Sequence, residues 1–598
     1  MESGWYFVVF PDCERARPIA DRFDREAHRV IRYPSGRPMV LAKMPADQLV
    51  AGGTVPKVAI GLSSATPRRL ARSDVDSLAH ALAGSFHLVA AEARGVRVQG
   101  SASGLRRVHH AVIDGVPIAS DRADVLAGLG GFGFDERALA IRLLRALPHP
   151  LSEEPLWRGV TPVPPDSAVV LDADGRRSRT VRWWRRPDPV RSRAEGAVQL
   201  RAALAEAVAV RTAAGATVHC DLSGGLDSTP ICYLAAQGPA TIVATTMYNE
   251  DPGGKEDLYW ARRALPAMPG IEQQVGLLDD MPNFFEGMPA VTARLDEPTQ
   301  AYLTAPRIRY SIRSAQERGA RLYLTGLGGD HLLHGLPVWD HTVFRRRPLH
   351  AWRRIRLSSM LQNRSLGTTL RELLDNESYR GWLSRTAGSA RRARQARSEM
   401  RLSWDQEIGL PRWLTEDATA AVLERIQEIA EQAQPLGETR AAHAELAMVR
   451  DGTRIIRGTE QYAAALDMPF ASPFFDDRVV EACFAVRHEE RDSPMEFKPL
   501  IKAAMRDALP AEFLKRGSKM GGSTQAARGL AAHWPEILGL CEDSPLAALG
   551  IVDFDVLARS ESPEHMRARD AMLDDTVNCA VFLRNHGRSG QEGRDAAA

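Results

Sequence analysis

The stretch Thr217-Val-His-Cys-Asp-Leu-Ser-Gly-Gly-Leu-Asp-Ser-Thr229 decides the fold. Thr217–Leu222 reads as a strand, the glycines as a turn, and the residues from Ser228 as a helix. In open α/β sheets, ligands bind at the carboxyl ends of strands in this setting. Gly224 and Gly225 let backbone amides come close to an anion, and the helix N-terminus adds its dipole and unpaired N–H groups. Ser223 and Ser228 can donate hydroxyl hydrogen bonds to phosphate oxygens. Asp227 conflicts with an anion cradle unless a cation bridges it to the phosphates. Magnesium, which takes one or two carboxylates plus phosphate oxygens, resolves that conflict. The G-x-x-x-x-G-K-[ST] spacing of a Walker loop is missing. An isolated Ser-Gly-Gly turn would be an ordinary loop, so the signal lies in the whole string with its strand and helix.

A second stretch, Leu324-Thr-Gly-Leu-Gly-Gly-Asp330, repeats the arrangement of strand end, glycines and carboxylate. Gly326, Gly328 and Gly329 clear space, and Asp330 can reach the other side of a triphosphate. By itself it could be a turn. Paired with the first loop, it predicts two carboxylates on neighbouring strand ends.

Around these loops, strands at Thr217–Leu222, Thr241–Met247, Glu272–Leu278 and Arg321–Leu327 alternate with helix-length segments, which predicts a parallel sheet with right-handed crossovers. An Ala/Leu/Val helix, Ala194–Ala213, precedes it. Upstream, residues 1–185 read as an α+β layered domain with antiparallel strands at Trp5–Phe10, Pro38–Ala42, Val58–Leu62, His87–Ala90 and Val112–Ser120, and a helix near Asp74–Leu82. Arg185–Arg193, with two prolines among charges, reads as a linker. Residues 195–598 form the second unit, largely helical beyond 340, with helices at Thr415–Gln434, Ala441–Ala465 and Asp476–Ala485. The Gly/Arg/Ala-rich tail after Asn585 is expected to fray.

Composition sets the outer bounds. At 598 residues the chain needs two or three cores. A net charge of +2 gives no signature of nucleic-acid binding, and no apolar run is long enough to cross a bilayer. Met1–Arg15 lacks a basic n-region and a small-residue cleavage site, so a cytoplasmic protein is expected. Six scattered cysteines without a C-x-x-C pair argue against a disulfide framework or a zinc site. Seven of the 77 basic residues are lysines, and four of them, Lys498, Lys502, Lys515 and Lys519, fall in one short segment. In an arginine-using chain, that cluster marks positions where a compact ammonium matters, unless it is simply a solvated helix face.

Ser-Gly-Gly-Leu-Asp-Ser followed by Gly-Leu-Gly-Gly-Asp resembles the synthetase domain of the asparagine synthetase family, which cleaves ATP to AMP and pyrophosphate. Asp296-Glu-Pro298 matches that family's DEP element, and Pro469–Asp476 with Val479, Val480 and Glu481 is similar to "PFLD..VVE". Lys502-Ala-Ala-Met-Arg506 is similar to "KxxLR", and Arg516-Gly-Ser-Lys519-Met-Gly521 to "RxKxG". In the first domain, Gly84-Ser-Phe86, Ala119-Ser-Asp-Arg122 and Pro162–Asp166 resemble family elements. The resemblance implies an Ntn-hydrolase-like first domain and an ATP-pyrophosphatase (adenine nucleotide α-hydrolase-like) second domain. It implies ATP and Mg²⁺ as cofactors, with Leu222, Ser223, Gly224, Gly225, Asp227, Ser228, Thr246, Met247 and Gly326 around the nucleotide. Asp227 and Asp330 would hold the metal. Lys502 would stabilise the pyrophosphate and Lys519 the acyl-transfer step, since cations placed where charge develops are usually the largest catalytic contribution.

Three departures narrow the reading. Glutamine-dependent members carry an N-terminal cysteine after Met, whereas this chain has Glu2 and its first cysteine at Cys13, so the first domain is expected to be a degenerate, inactive glutaminase-like unit. Leu327 stands where the family has an acid and β-lactam synthetases a tyrosine, and His331 where a glutamate is usual. His331 is either a base or a hydrogen-bonding residue. Residues 335–405 form an arginine-rich insertion that is either a set of solvated helices or a peptide-binding cap. Together these features resemble lasso peptide cyclases. That implies adenylylation of an Asp or Glu side chain in a linear core peptide and attack by the peptide's N-terminal amine, with a leader peptidase and leader-binding protein as partners. The alternatives are a β-lactam synthetase or a glutamine-independent asparagine synthetase-like amide ligase.

Overall fold

The computed structural model describes residues 4–23, 28–250, 252–361, 364–390, 402–518, 523–560 and 571–595. The first part contains strands β1 (Tyr6–Val9), β2 (Arg29–Arg32), β3 (Pro38–Lys43), β4 (Leu49–Gly52), β5 (Lys57–Ser63) and β6 (Gly84–Glu92). It continues with β7 (Gly95–Gln99), β8 (His109–Ile113), β9 (Val116–Ser120), β10 (Val160–Pro162), β11 (Ser167–Asp172) and β12 (Ser178–Arg182). They form two six-stranded sheets, ordered β10-β8-β9-β1-β3-β2 and β12-β11-β7-β6-β5-β4. The period-2 alternation of a strand explains the layering. In β1, Phe7 and Val9 join Val58, Val89, Val98 and Val169 between the sheets, while Tyr6 and Val8 face the opposite core. Leu70 and Leu78, from helices Pro67–Arg72 and Val75–Ala81, cover the other side of the second sheet with Ala59 and Leu88. Asp74 caps the second of these helices, accepting from Ser77 N at 2.8 Å.

One expected strand, Val112–Ser120, is instead the hairpin β8–β9. Asp114 and Gly115 both take positive φ, 49° and 75°, as the tight turn of a twisted antiparallel pair requires. The Asp-Gly pair between two apolar stretches is the local signal for this turn.

The second part is an all-parallel sheet of β13 (Thr217–Asp221), β14 (Thr241–Tyr248), β15 (Glu272–Leu277), β16 (Leu322–Leu324) and β17 (Phe470–Ala471). Its order is β15-β14-β13-β16-β17. The chain runs outward from β13 to β15, then returns to place β16 on the other flank of β13. The crevice between β13 and β16 is therefore a topological switch point, where open sheets bind ligands. Both glycine loops follow strands that border it. Strand β17 was not expected, because two residues between Pro469 and Pro473 carry no periodicity; its pairing with β16 is purely tertiary.

The helix Arg193–Thr212 starts at a capping box, Ser192 with Glu195, and packs on the parallel-sheet core. Its Arg211 forms a bidentate pair with Asp476 at 2.7 and 2.6 Å, both side chains almost fully buried. The insertion folds as helices Trp339–Arg346, Pro348–Leu361, Leu366–Leu374 and Tyr379–Ala390, with Val343, Ala351, Ile355, Leu373 and Leu402 as a small core. Arg354 pins it by bonding Asp340 (3.0 Å) and Asp492 (2.7 Å). Arg391, Arg392 and Arg394 lie outside the described residues. Past Asn585, where fraying was expected, the helix Ala571–Asp595 continues. Asn585 Nδ2 donates to Ala293 O (3.0 Å) and His586 Nε2 bonds Leu295 O (2.9 Å), anchorage that composition does not reveal. Among the described residues, no helix is long and apolar enough to cross a membrane.

Arg211→Met should strand the Asp476 carboxylate in the core and cost about 3–5 kcal/mol, read as a lower urea midpoint. The double change Arg211→Met with Asp476→Leu should recover most of that loss. An unchanged midpoint in the single variant would mean the pair contributes nothing.

Candidate active site

The two glycine loops meet at the crevice. Gly224 has φ 70°, and a Cβ there would lie 2.4 Å from Asp257 O. A Cβ on Gly326 would lie 2.3 Å from Ser228 N, and one on Gly329 would lie 2.2 Å from Asp227 Oδ1. Gly328 has φ 99° and faces Phe475. Gly326 and Gly329 are needed where the second loop presses on Asp227 and Ser228 of the first, and Gly224 and Gly328 where the loops meet the 257–261 helix segment and Phe475.

That contact brings the predicted carboxylates together around a cation. Lys498 Nζ donates to both oxygens of Asp227 at 2.6 Å and to Asp330 Oδ1 at 2.5 Å. The lysine side chain is 1% exposed, that of Asp227 10%, and that of Asp330 44%, so the cluster opens toward solvent at Asp330. Lys498 has φ 49°, a left-handed conformation uncommon for a side-chain-bearing residue, just before the Pro499–Ala504 helix. Such strain persists only where the surroundings impose it. Lys502, expected beside the pyrophosphate, lies one turn further along that helix, half-buried; burial lowers its pKa and Glu496 partly offsets this. None of its described hydrogen bonds reaches Asp227 or Asp330; the lysine bonded to both is Lys498. The sequence signal for Lys498 was present in the lysine cluster, but the left-handed turn that aims it is set by tertiary packing.

Ser223 Oγ and Ser228 Oγ bond one another at 2.8 Å, and Ser228 Oγ accepts from Ser223 N at 3.2 Å, closing the loop on itself. Leu222 is buried, and its carbonyl accepts from Thr246 Oγ1 at 2.6 Å. Thr246 is itself fully buried and holds the strand end; Met247, half-buried, follows it at the end of β14 beside Gly276. The buried Arg516 pairs with Asp257, donates to Ser518 O (2.9 Å) and reaches Ser223 O (3.5 Å), fastening residues 516–518 beside the first loop. Lys519 lies outside the described residues. Leu327 is half-exposed, its carbonyl accepting from Ser472 Oγ at 2.5 Å. His331 packs near Phe475, with ring centroids 5.8 Å apart, and against Gly452.

The donor set suits magnesium. Asp227 and Asp330 offer only hard oxygens, and Lys498 demonstrates that a compact cation is accommodated between them. Among the described residues, no group of three or more His, Cys, Asp or Glu side chains is placed to hold a metal, so further ligands would come from phosphate oxygens and water.

Beside this cluster lies a cavity of about 300 Å³ between the two parts of the chain. Gly452 of the helix Arg440–Ala464 touches His331, while Asp451 and Thr453 on either side line the cavity. Leu336–Val338 and Ser403–Gln406, at the two ends of the insertion, line it as well. The Asp-Glu-Pro element is buried next to it: Asp296 pairs with Arg457 at 3.3 Å, and Glu297 with Arg454 at 3.1 Å and Arg142 at 3.4 Å. Backbone amides of Ala102 and Ser103 donate to Asp477, each at 2.9 Å, and Arg106 grips Glu460 at 2.7 and 3.2 Å. The first domain is thus bonded directly to the helices that carry the site.

Lys498→Ala would leave two carboxylates facing each other across an empty position. In magnesium-free buffer it should cost near the lower end of the ~3–5 kcal/mol typical of broken buried pairs, because Asp330 is partly exposed. Millimolar Mg²⁺ should return the thermal midpoint toward wild type. A variant that melts like wild type and ignores Mg²⁺ would separate Lys498 from the cluster's stability.

The asparagine synthase family model matches residues 199–574, more than half of the chain. That span takes in both glycine loops, the insertion and the lysine segment. No curated protein matches the chain. A domain of this kind supports ATP-dependent amide ligation in general, and the paired carboxylates at a parallel-sheet switch point agree with it. The chain belongs to the asparagine synthase family.

Proposed function

We propose that the protein adenylylates a side-chain carboxylate of a linear core peptide with ATP and closes a macrolactam by attack of the peptide's own N-terminal amine. The cavity carries this reading. Both ends of the insertion line it, and one face of the helix Arg440–Ala464 separates it from the loop of Asp330. A substrate held there can meet ATP at the crevice while the insertion covers it. The insertion itself supports the same reading.

In the proposed reaction a carboxylate oxygen attacks the α-phosphorus, and the bond to the bridging oxygen breaks, releasing pyrophosphate. The amine nitrogen then attacks the acyl carbon, loses a proton, and AMP leaves with the acyl C–O bond. Magnesium held by Asp227 and Asp330 would supply charge neutralisation along the phosphates. Lys498 adds an ammonium where pyrophosphate charge accumulates, and Lys519 is proposed for the acyl-transfer step. The loop amides of Gly224 and Gly225 orient the phosphates, and the buried Leu222–Thr246 contact keeps that loop in place. Ring closure itself relies on positioning of amine and acyl carbon.

A second reading, ligation of a small amino-acid derivative as in β-lactam synthetases, draws support from the cavity's volume, at the lower end of ordinary ligand sites. Wild-type enzyme with ATP, Mg²⁺ and a linear core peptide should give a product lighter by about one water and lacking a free α-amine. Mass spectrometry with amine labelling reads both. Asp227→Asn and Asp330→Asn should each lower pyrophosphate release at least about a hundredfold; each also removes a charge partner of buried Lys498 and should lower the melt, so release is compared at a temperature where both variants remain folded. Lys519→Ala should form acyl-adenylate but little ring, and Lys519→Arg should rescue poorly, because a planar fork does not replace a compact ammonium. AMP formation with a small β-amino acid and none with peptide would transfer the assignment to the second reading.

A further inference from the structure

We propose that Arg107 of the first domain is a carboxylate-binding residue of the interdomain cavity, gripping an acidic group of the substrate other than the one that is activated. The inference rests on reading that cavity as the substrate site. Arg107 lines the cavity together with Glu153, Arg450, Arg454 and Arg457. Its neighbours are paired among themselves. Glu153 is held by Arg450 and by His149 Nδ1 at 3.2 Å; Asp296 is held by Arg457; Glu297 is held by Arg454, Arg142 and Arg457. Arg107 has no described ion pair or side-chain hydrogen bond, and its buried Nε lacks a partner.

The charged groups that face Arg107 are Glu153, Asp296 and Arg454, so both acids within its reach already serve other guanidiniums. Burial pushes the Arg107 guanidinium below its usual range, and Arg454 adds to that. Of the arginines lining this cavity and the adjoining one, Arg142, Arg450, Arg454 and Arg457 pair with Glu153, Asp296 or Glu297, which leaves Arg107 as the guanidinium without a described ion pair. The cavity wall also holds Asp405, Asp451 and Asp575. An arginine is suited to the task because its planar fork receives both oxygens of a carboxylate. The position also fits the reaction. Arg454 is two residues, about half a helical turn, from Gly452, which touches His331 in the second loop, so one helix carries both the cavity wall and the contact with that loop, and an extended substrate can present one carboxylate to ATP and another to Arg107.

Calorimetric titration of the full chain with glutarate, in ATP-free buffer, tests the site directly. Wild type should bind saturably, Arg107→Gln at least tenfold more weakly, and Arg107→Lys, which keeps charge and bulk, with an intermediate loss. No glutarate binding by wild type, or equal binding by wild type and both variants, overturns the assignment. A second arm uses peptide turnover. If the C-terminal carboxylate is the group held, amidating it should raise KM about tenfold in wild type and leave Arg107→Gln unaffected; if a second acidic side chain is held, its amide replacement does so instead. Glutarate binding that depends on Arg107 without any peptide turnover would keep the carboxylate site and discard the peptide reading. Turnover with no KM response in either arm, and no Arg107 dependence of glutarate binding, would discard the site and keep the peptide reading.

Discussion

Two carboxylates must stand close enough to share one cation, and most of the second domain follows from that constraint. Asp227 and Asp330 are separated by about a hundred residues, yet one ammonium, Lys498 Nζ, touches both. Like charges at that spacing repel unless a cation lies between them. The fold meets the requirement by reversing strand order between β13 and β16, which makes the two loops neighbours. The loops then approach so closely that Gly326 and Gly329 admit no Cβ. Backbone contact, more than side-chain packing, sets the distance between the carboxylates.

Around that cluster, charged side chains are taken out of water in interlocking sets. Arg211 with Asp476 ties the first long helix to the segment after β17, and Glu445 serves Arg186, Arg491 and His488 together. The three arginine and histidine partners hold the Glu445 carboxyl well below its usual range despite burial, which would raise it. Buried ion pairs of this kind contribute little net stability, but losing one partner is costly. They penalise any arrangement other than the native one, which suits a site assembled from segments far apart in sequence. The contacts of Asp477 with the 102–103 backbone and of Arg106 with Glu460 extend the same logic across the domain boundary. Burial raises the Asp477 pKa to about 7, the two backbone donors notwithstanding. A carboxyl raised in this way weakens the fold as pH climbs from its ordinary range through 7, because the native state then binds more protons than the unfolded chain.

Legibility varied with the range of the cause. The short apolar runs of β1, β3 and β5, the helix near Asp74 and the strand-turn-helix at Ser223–Ser228 are local, and each is visible in a few consecutive residues. The β8–β9 hairpin was legible in Asp114-Gly115, a strong turn signal between two apolar stretches, and reading Val112–Ser120 as one strand passed over it. Strand β17 exists only because β16 offers its edge. In the site, the glycines and both aspartates were readable as motifs. Lys498 was readable as one of four lysines, but Lys502 and Lys498 could be told apart only by which one the left-handed turn aims inward.

The sequence by itself determined the antiparallel first part, the parallel sheet and the glycine-aspartate motifs of the two loops, because those depend on periodicity and on residue types at fixed short spacing. The tertiary structure alone decided which lysine meets the carboxylates, that Thr246 props the loop from a fully buried position, and that both ends of the insertion return to one cavity. It also decided that Arg107 faces that cavity while its acidic neighbours bond to other arginines. Each of these depends on contacts between residues tens to hundreds of positions apart. Such contacts are chosen by the strand order and by the pairing of buried charges across the whole chain, and no local pattern records either.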